Sequence, residues 1–130
     1  MNQQEVKALV QAALDGMQIP WRGEGEWLRL TTQVRGRTIP VALHLRDERL
    51  TLYARLPLQG EEGRMALACN ALNRVLGDGC LVADERGQAL LKQTLYLSDA
   101  LYAAQAVERA LGRQRFLLGQ CLGALEQAML

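Results

Sequence analysis

Three cysteines, one histidine and three pairs of adjacent carboxylates are the side chains of this 130-residue chain best suited to chemistry. Their spacing gives them little to do together. Cys69, Cys80 and Cys121 make an odd count with no C-x-x-C pair, so neither a disulfide framework nor a zinc set is implied. Each sits among apolar neighbours (Ala68, Leu81, Leu122) and reads as a buried, reduced thiol packed as a small hydrophobe. A reactive thiolate needs a base or a cation to lower its pKa, and the sequence supplies none beside them. A nucleophile–base pair would have to use His44, which projects from the outer face of a predicted strand and reads as a surface histidine. Asp47-Glu48, Glu61-Glu62 and Asp84-Glu85 fall in turns or at a helix start, where carboxylates cap backbone N–H groups and complement the helix dipole. Gly23-Glu24-Gly25 and Gly77-Asp78-Gly79 hold an acid between glycines, which would repel a phosphate. No G-x-S-x-G, G-x-x-x-x-G-K or G-x-G-x-x-G run is present. No catalytic, cofactor-binding or metal-binding residue is therefore assigned, no cofactor is expected, and the chain reads as a non-enzyme.

Two surface features remain. On the outer face of a predicted sheet, Arg29, Ala42 and Tyr53 share one row and Trp27 and His44 share the next. Arginines interleaved with aromatics can stack unpaired bases, but the chain carries 15 Lys and Arg against 14 Asp and Glu, a net charge of +1. So little positive charge makes nucleic acid the weaker partner class. The second feature is Gly119-x-x-x-Gly123 near the end of the last predicted helix. Small residues at that spacing allow close approach of another element. Arg115, Leu118, Gly119, Leu122 and Gly123 are the expected homodimer contact, two-fold dimers being the commonest assembly.

The elements that position these residues follow from periodicity. Val6, Leu9, Val10, Ala13, Leu14 and Met17 recur at three-and-four spacing and predict a helix over 3–17, closed by Gly16 and Pro20. From Trp27 the period becomes two. Leu28, Leu30 and Val34, then Ile39, Val41, Leu43 and Leu45, then Leu50, Leu52, Ala54 and Leu56 mark one face of three strands. If Arg35-Gly36 and Asp47-Glu48 are two-residue turns, Val34 faces Arg37 and Arg46 faces Arg49. Leu30, Val41 and Ala54 then form one inner row, and Leu28, Leu43 and Leu52 another. Pro40 cannot donate to a ladder, so a bulge is expected there. A second helix is predicted over 61–76, with Met65, Ala68, Leu72, Val75 and Leu76 inward. Strands at 80–83 and 89–97 form a hairpin. A last helix, capped by Ser98 with Asp99 in its first turn, runs to about Ala128. Ala103, Val107, Ala110, Leu111, Leu118, Cys121, Leu122 and Leu125 mark its core side. The order is α-β-β-β-α-β-β-α, an α+β fold with an antiparallel sheet and the helices packed on one face.

Composition agrees with one soluble globular domain over 1–130: 49% hydrophobic and 22% charged, with mean hydropathy −0.07. No apolar run approaches the ~20 residues of a bilayer span. Met1-Asn2-Gln3-Gln4-Glu5 has no secretion segment, so a cytoplasmic protein without membrane contact is expected.

The element order, with Asn70-Ala71-Leu72-Asn73-Arg74-Val75-Leu76, Cys80-Leu81-Val82-Ala83-Asp84-Glu85-Arg86-Gly87, Ala89-Leu90-Leu91-Lys92-Gln93-Thr94-Leu95 and Leu56-Pro57-Leu58, resembles the YbjN-like family. Those proteins share their fold with the class I chaperones of type III secretion. The resemblance implies a non-catalytic protein-binding module, regulatory or adaptor in role, that often dimerises. The alternative is a chaperone holding an extended effector segment, and a small-ligand or single-stranded nucleic-acid binder stands third. The residues expected to meet a protein partner or client polypeptide are Trp21, Trp27, Arg29, Tyr53, Arg55 and Tyr96, with the strand edge near Leu95-Tyr96-Leu97.

Overall fold

A computed structural model describes residues 1–98 and 100–130. The order is α1 (Gln3–Gly16), β1 (Arg22–Glu24), β2 (Trp27–Val34), β3 (Arg37–Arg46), β4 (Arg49–Gln59), α2 (Glu62–Asn73), β5 (Cys80–Ala83), β6 (Gln88–Tyr96) and α3 (Ala100–Ala128). The strands form one antiparallel sheet in the order β1-β2-β3-β4-β6-β5. The α+β architecture read from the sequence is present, with one addition. Arg22–Glu24 pairs with β2, where only a turn was expected; three residues are too few to show a period.

The register of the meander is the one that alternation required. Val34 faces Arg37 and Arg46 faces Arg49, while Leu30, Val41 and Ala54, and Leu28, Leu43 and Leu52, share inner rows. Arg35 and Gly36 both have positive φ, 53° and 75°, the geometry of a two-residue turn whose twist matches the flanking strands. Pro40 corrects the expected bulge: it sits opposite Thr31 in unbroken register. Pairing of β3 with β4 begins one residue later, at Val41 and Ala54, so no β4 ladder bond is forfeited at Pro40.

The apolar residues of these rows form one cluster with Val6, Val10 and Leu14 of α1, Met65 and Cys69 of α2, and the inward side of α3. Each fully buried Leu or Val in it contributes roughly 1.5–3 kcal/mol. Helix α1 begins with a capping box between Asn2 and Glu5 and is tied to the β3–β4 turn, where the Gln3 N–H donates to Asp47 Oδ1 (2.7 Å). Helix α2 is shorter than expected. Glu61 is its N-cap, its carboxylate accepting from the Gly63 and Arg64 N–H groups, and the helix ends at Asn73. Cys69 replaces Val75 on the buried side; Val75 is exposed. Asp99 lies outside the described residues, and with it the capping expected from Ser98 and Asp99.

Helix α3 runs unbroken through Gly112 for 29 residues. Its buried positions are Ala103, Val107, Leu111, Gln114, Leu117, Leu118, Cys121, Leu122 and Leu125. This corrects part of the expected dimer contact, since Leu118 and Leu122 are consumed by the chain's own core.

Candidate functional site

The helices lie on one face of the sheet, so the outward positions of six strands share an open surface. Arg22, Arg29, Ala42, Tyr53 and Lys92 form one row across it; Glu24, Trp27, His44, Thr51 and Thr94 form the next. Trp27 stacks on His44 at 4.4 Å and lies 5.9 Å from Tyr53. His44 Nε2 is 2.9 Å from Glu26, and the Arg29 guanidinium sits 5.7 Å from the indole while bonding Glu24 at 3.0 Å. This aromatic cluster is therefore packed on itself, and Trp27 and Tyr53 are half-buried.

Beside the cluster is a trough of about 540 Å³ over Pro40, Ala42 and Leu90, bounded by Trp21 and Tyr53 and flanked by Arg22, Arg29 and Arg55. Trp21 is held there by its indole N–H, which donates to Asp15 Oδ1 (2.8 Å). The structure thus brings four of the six expected partner-binding residues, Trp21, Arg29, Tyr53 and Arg55, around one concavity, with Trp27 adjacent. Tyr96 is apart, opposite Arg49 at the far end of β6. Arg22, Lys92 and Leu90 were missed by the sequence reading. Arg22 belongs to the unrecognised strand β1, and the other two needed the pairing of β6 with β4.

A second feature lies along β6. Strand β5 covers only Ala89 to Lys92 and Gly79 lies against Gln93, so among the described residues Thr94 to Tyr96 have no strand neighbour on that side. Asn73 fixes which groups are free. Its amide donates to the Leu81 carbonyl (2.9 Å) and accepts from the Leu81 N–H (2.7 Å). The main chain of Leu81 therefore points away from β6, and residues of β6 alternate accordingly. Thr94 and Tyr96 direct their N–H and C=O groups to the open side. Under this edge, between the sheet and α3, is a cleft of about 420 Å³ lined by Leu52, Gln93, Leu95, Ala106, Ala110 and two arginines, Arg109 and Arg113, among others. Gln93 is 5% exposed and its Oε1 has no partner, a costly state for a buried acceptor. Gln93 was legible as the polar member of an inward run (Ala89, Leu91, Gln93, Leu95) but was passed over. Leu95 and Tyr96 were expected at a strand edge, and the structure places them there; Leu97 lies beyond β6, its N–H donating to Glu48 O (2.8 Å).

The glycine pair of α3 serves the same chain. Gly119 packs on Val34, and Arg35 donates to the Gly119 carbonyl (3.2 Å). A Cβ at Gly123 would meet the same guanidinium, and Arg115 donates to Thr32 Oγ1 (3.3 Å). The close approach allowed by the glycines is made within the chain by the tip of the β2–β3 hairpin, so the spacing of Gly119 and Gly123, expected to serve a dimer, needs no second copy to account for it.

The thiols also part company. Burial pushes Cys69 upward and Cys121 up to about 11, the direction desolvation imposes on a thiolate. Cys80, expected to be buried, is exposed, because it takes an outward position opposite Lys92. Among the described residues no three His, Cys, Asp or Glu gather as a metal set. Asp84 accepts from the Gln88 and Arg86 N–H groups (3.0 and 2.8 Å), which is turn chemistry. Among the described residues no helix is long and apolar enough to cross a membrane.

No family model and no curated protein sequence matches the chain. Solved structures do. YbjN of E. coli, described as a candidate transcription regulator, superposes with a TM-score of 0.67 at 14% identity, over 92% of this chain and 91% of that one. A chain of the HopA1–SchA chaperone–effector complex gives 0.62 at 14% identity, covering 90% and 92%. A chain of the ExsC–ExsE complex gives 0.58 at 20% identity, covering 94% and 97%. The chain has the YbjN-like, secretion-chaperone-like fold expected from its sequence. At such identities the likeness is one of architecture.

Proposed function

We propose that residues 1–130 form a single non-catalytic module that binds another polypeptide, taking an extended segment as an added strand on the free edge of β6. The observation that carries this reading is the open main chain of Thr94 and Tyr96 above the apolar cleft beneath α3. An added strand supplies main-chain hydrogen bonds regardless of sequence, and alternate side chains of the guest enter the cleft. The unpartnered Gln93 Oε1 offers an acceptor there for a donor of the guest. The role is regulatory or that of an adaptor. A chaperone holding an effector segment is the alternative, supported by the similarity to chains from two complexes, the HopA1–SchA chaperone–effector complex and the ExsC–ExsE complex. The two differ in partner number: a chaperone keeps one dedicated client, an adaptor several.

The module acts, in this reading, in the cytoplasm and as a homodimer. Leu118 and Leu122 being buried, the dimer contact passes to exposed apolar side chains of the helical layer, Leu67 and Val75 near α2 and Tyr102 and Phe116 on α3. Sedimentation of the Leu67→Lys variant measures this, and an unchanged dimer would remove α2 from the contact.

The test of the main reading is amide hydrogen exchange with a peptide selected from a displayed library of random sequences. Binding should slow exchange at Thr94 and Tyr96 above all other strand positions. Protection confined to another element, or no selectable peptide, rejects the edge as the docking site.

A further inference from the structure

We infer that the trough on the open sheet face recognises an acidic segment of a polypeptide, one that sets carboxylates on either side of an apolar side chain. The inference rests on the polypeptide-binding reading and adds the chemistry of the guest. Near-neutral net charge conceals an uneven distribution. Arg22, Arg29, Arg46, Arg49, Arg55 and Lys92 all take outward positions on this face, six of the chain's 15 cationic residues, whereas Glu24 is the one carboxylate among the outward strand residues.

At the Arg46 and Arg49 end, Glu26 and Asp47 stand close by, so the excess is felt at the trough. No carboxylate lines it, and among the described residues Arg22, Arg55 and Lys92 have none within ion-pair distance. Arg55 also faces the β5–β6 turn, where Glu62, Asp84 and Glu85 lie nearby; Glu24, on the same outward face of β1 as Arg22, is bonded to Arg29, and Lys92 lies over the Tyr53 ring at 5.9 Å.

Two features favour a polypeptide over nucleic acid. The base of the trough is hydrocarbon (Pro40, Ala42, Leu90), suited to an aliphatic or aromatic side chain and without groups to read a base edge. Of the rings on this face, Trp27 is already engaged, lying against His44 and near Tyr53. Guanidinium forks match carboxylates in a bidentate geometry that a flanking Asp or Glu can complete.

The experiment is a parallel selection of displayed random peptides on the wild-type chain and on the double variant Arg22→Glu/Arg55→Glu. Both residues are exposed, and circular dichroism is the check that the variant is folded before its pool is compared. Wild type should select sequences in which Asp or Glu flanks a large apolar residue. The double variant should lose that enrichment, and a selected acidic peptide should bind it roughly tenfold or more weakly at low salt.

Pools of like charge on the two proteins, or a basic pool on wild type, overturn the inference. If such pools still protect Thr94 and Tyr96 from exchange, the edge-binding reading stands and only the guest's chemistry is wrong. If no peptide is selected, both fall. Fluorescent oligothymidylate that binds wild type and is lost in the double variant reassigns the trough to nucleic acid. A change of oligomeric state in the double variant reassigns it to a second copy of the chain.

Discussion

The two halves of strand β6 have the same neighbour on one side and opposite fates on the other. From Ala89 to Lys92 the strand is covered by β5, whose own outward main chain at Leu81 is closed by the Asn73 amide. From Thr94 to Tyr96 the cover is gone, because the chain enters β5 only at Cys80 after the Gly77-Asp78-Gly79 bend, whose Gly79 lies against Gln93. An exposed edge is a liability that proteins normally blunt. Here one half is blunted by a four-residue strand and a single side chain, and the other is left, among the described residues, with unpaired main chain above an apolar cleft. Sheet membership alone thus does not say whether a strand is available; the length of its neighbour does.

The largest effect should come from the core beneath the covered half. Leu91 is fully buried, and Leu91→Ala should cost roughly 2–5 kcal/mol in urea denaturation. Leu95 under the open half is only partly buried, so Leu95→Ala should cost about 1–2 kcal/mol; equal losses would erase the distinction between the halves.

Next comes the closure itself. Asn73→Ala strips Leu81 of partners for a part-buried N–H and C=O and should cost roughly 1–3 kcal/mol. The Leu81 amide should then exchange faster in NMR experiments, while Leu91, paired with β4, should keep its protection. Unchanged exchange at Leu81 would show that Asn73 does not close this edge.

Acid should act on the turn that joins β5 to β6. The Gln88 N–H, then that of Arg86, and the charges of Arg55 and Arg86 hold Asp84 below its ordinary 3.8, against a smaller opposing effect of desolvation. A carboxylate with a lowered folded pKa stabilises above its unfolded value and loses that contribution as pH falls through the folded one. Thermal denaturation between pH 5 and pH 2, both approximate limits set by carboxylate titration, should show a shallower acid loss for Asp84→Asn than for wild type. Parallel curves would remove Asp84 from the acid response.

The smallest effect on stability belongs to the open half. Thr94→Lys and Tyr96→Lys alter exposed side chains and should shift stability by no more than about 0.5 kcal/mol. A loss as large as that of Asn73→Ala would mean that these positions are structural after all.

The contrast also explains what the sequence made legible. Alternation with a fixed turn length determines register, because a one-residue slip would turn every inward Leu outward, so the pairing of β2, β3 and β4 could be read directly. The residues Trp21, Arg29, Tyr53 and Arg55 could be named without knowing that they share a concavity. What escaped depends on which strand lies beside which: β6 next to β4, with β5 ending early, is a property of the chain's return path. The Gly119 and Gly123 spacing was legible as a request for close approach, but not the identity of the visitor, Arg35 from 84 residues away. Cys80 shows the same limit, since an apolar neighbour in sequence says nothing about which side of a strand faces outward.

The Asn73 amide has a further consequence, one of valence. A sheet with two adhesive ends can recruit copies of itself without limit, each guest exposing a fresh edge for the next. Here the β5 end is sealed by a side chain shaped like a peptide unit, which leaves on β6 a short gap set back from the rim. That end of the sheet can accept one strand and then stop, so guests added there should be counted in small whole numbers instead of growing into filaments.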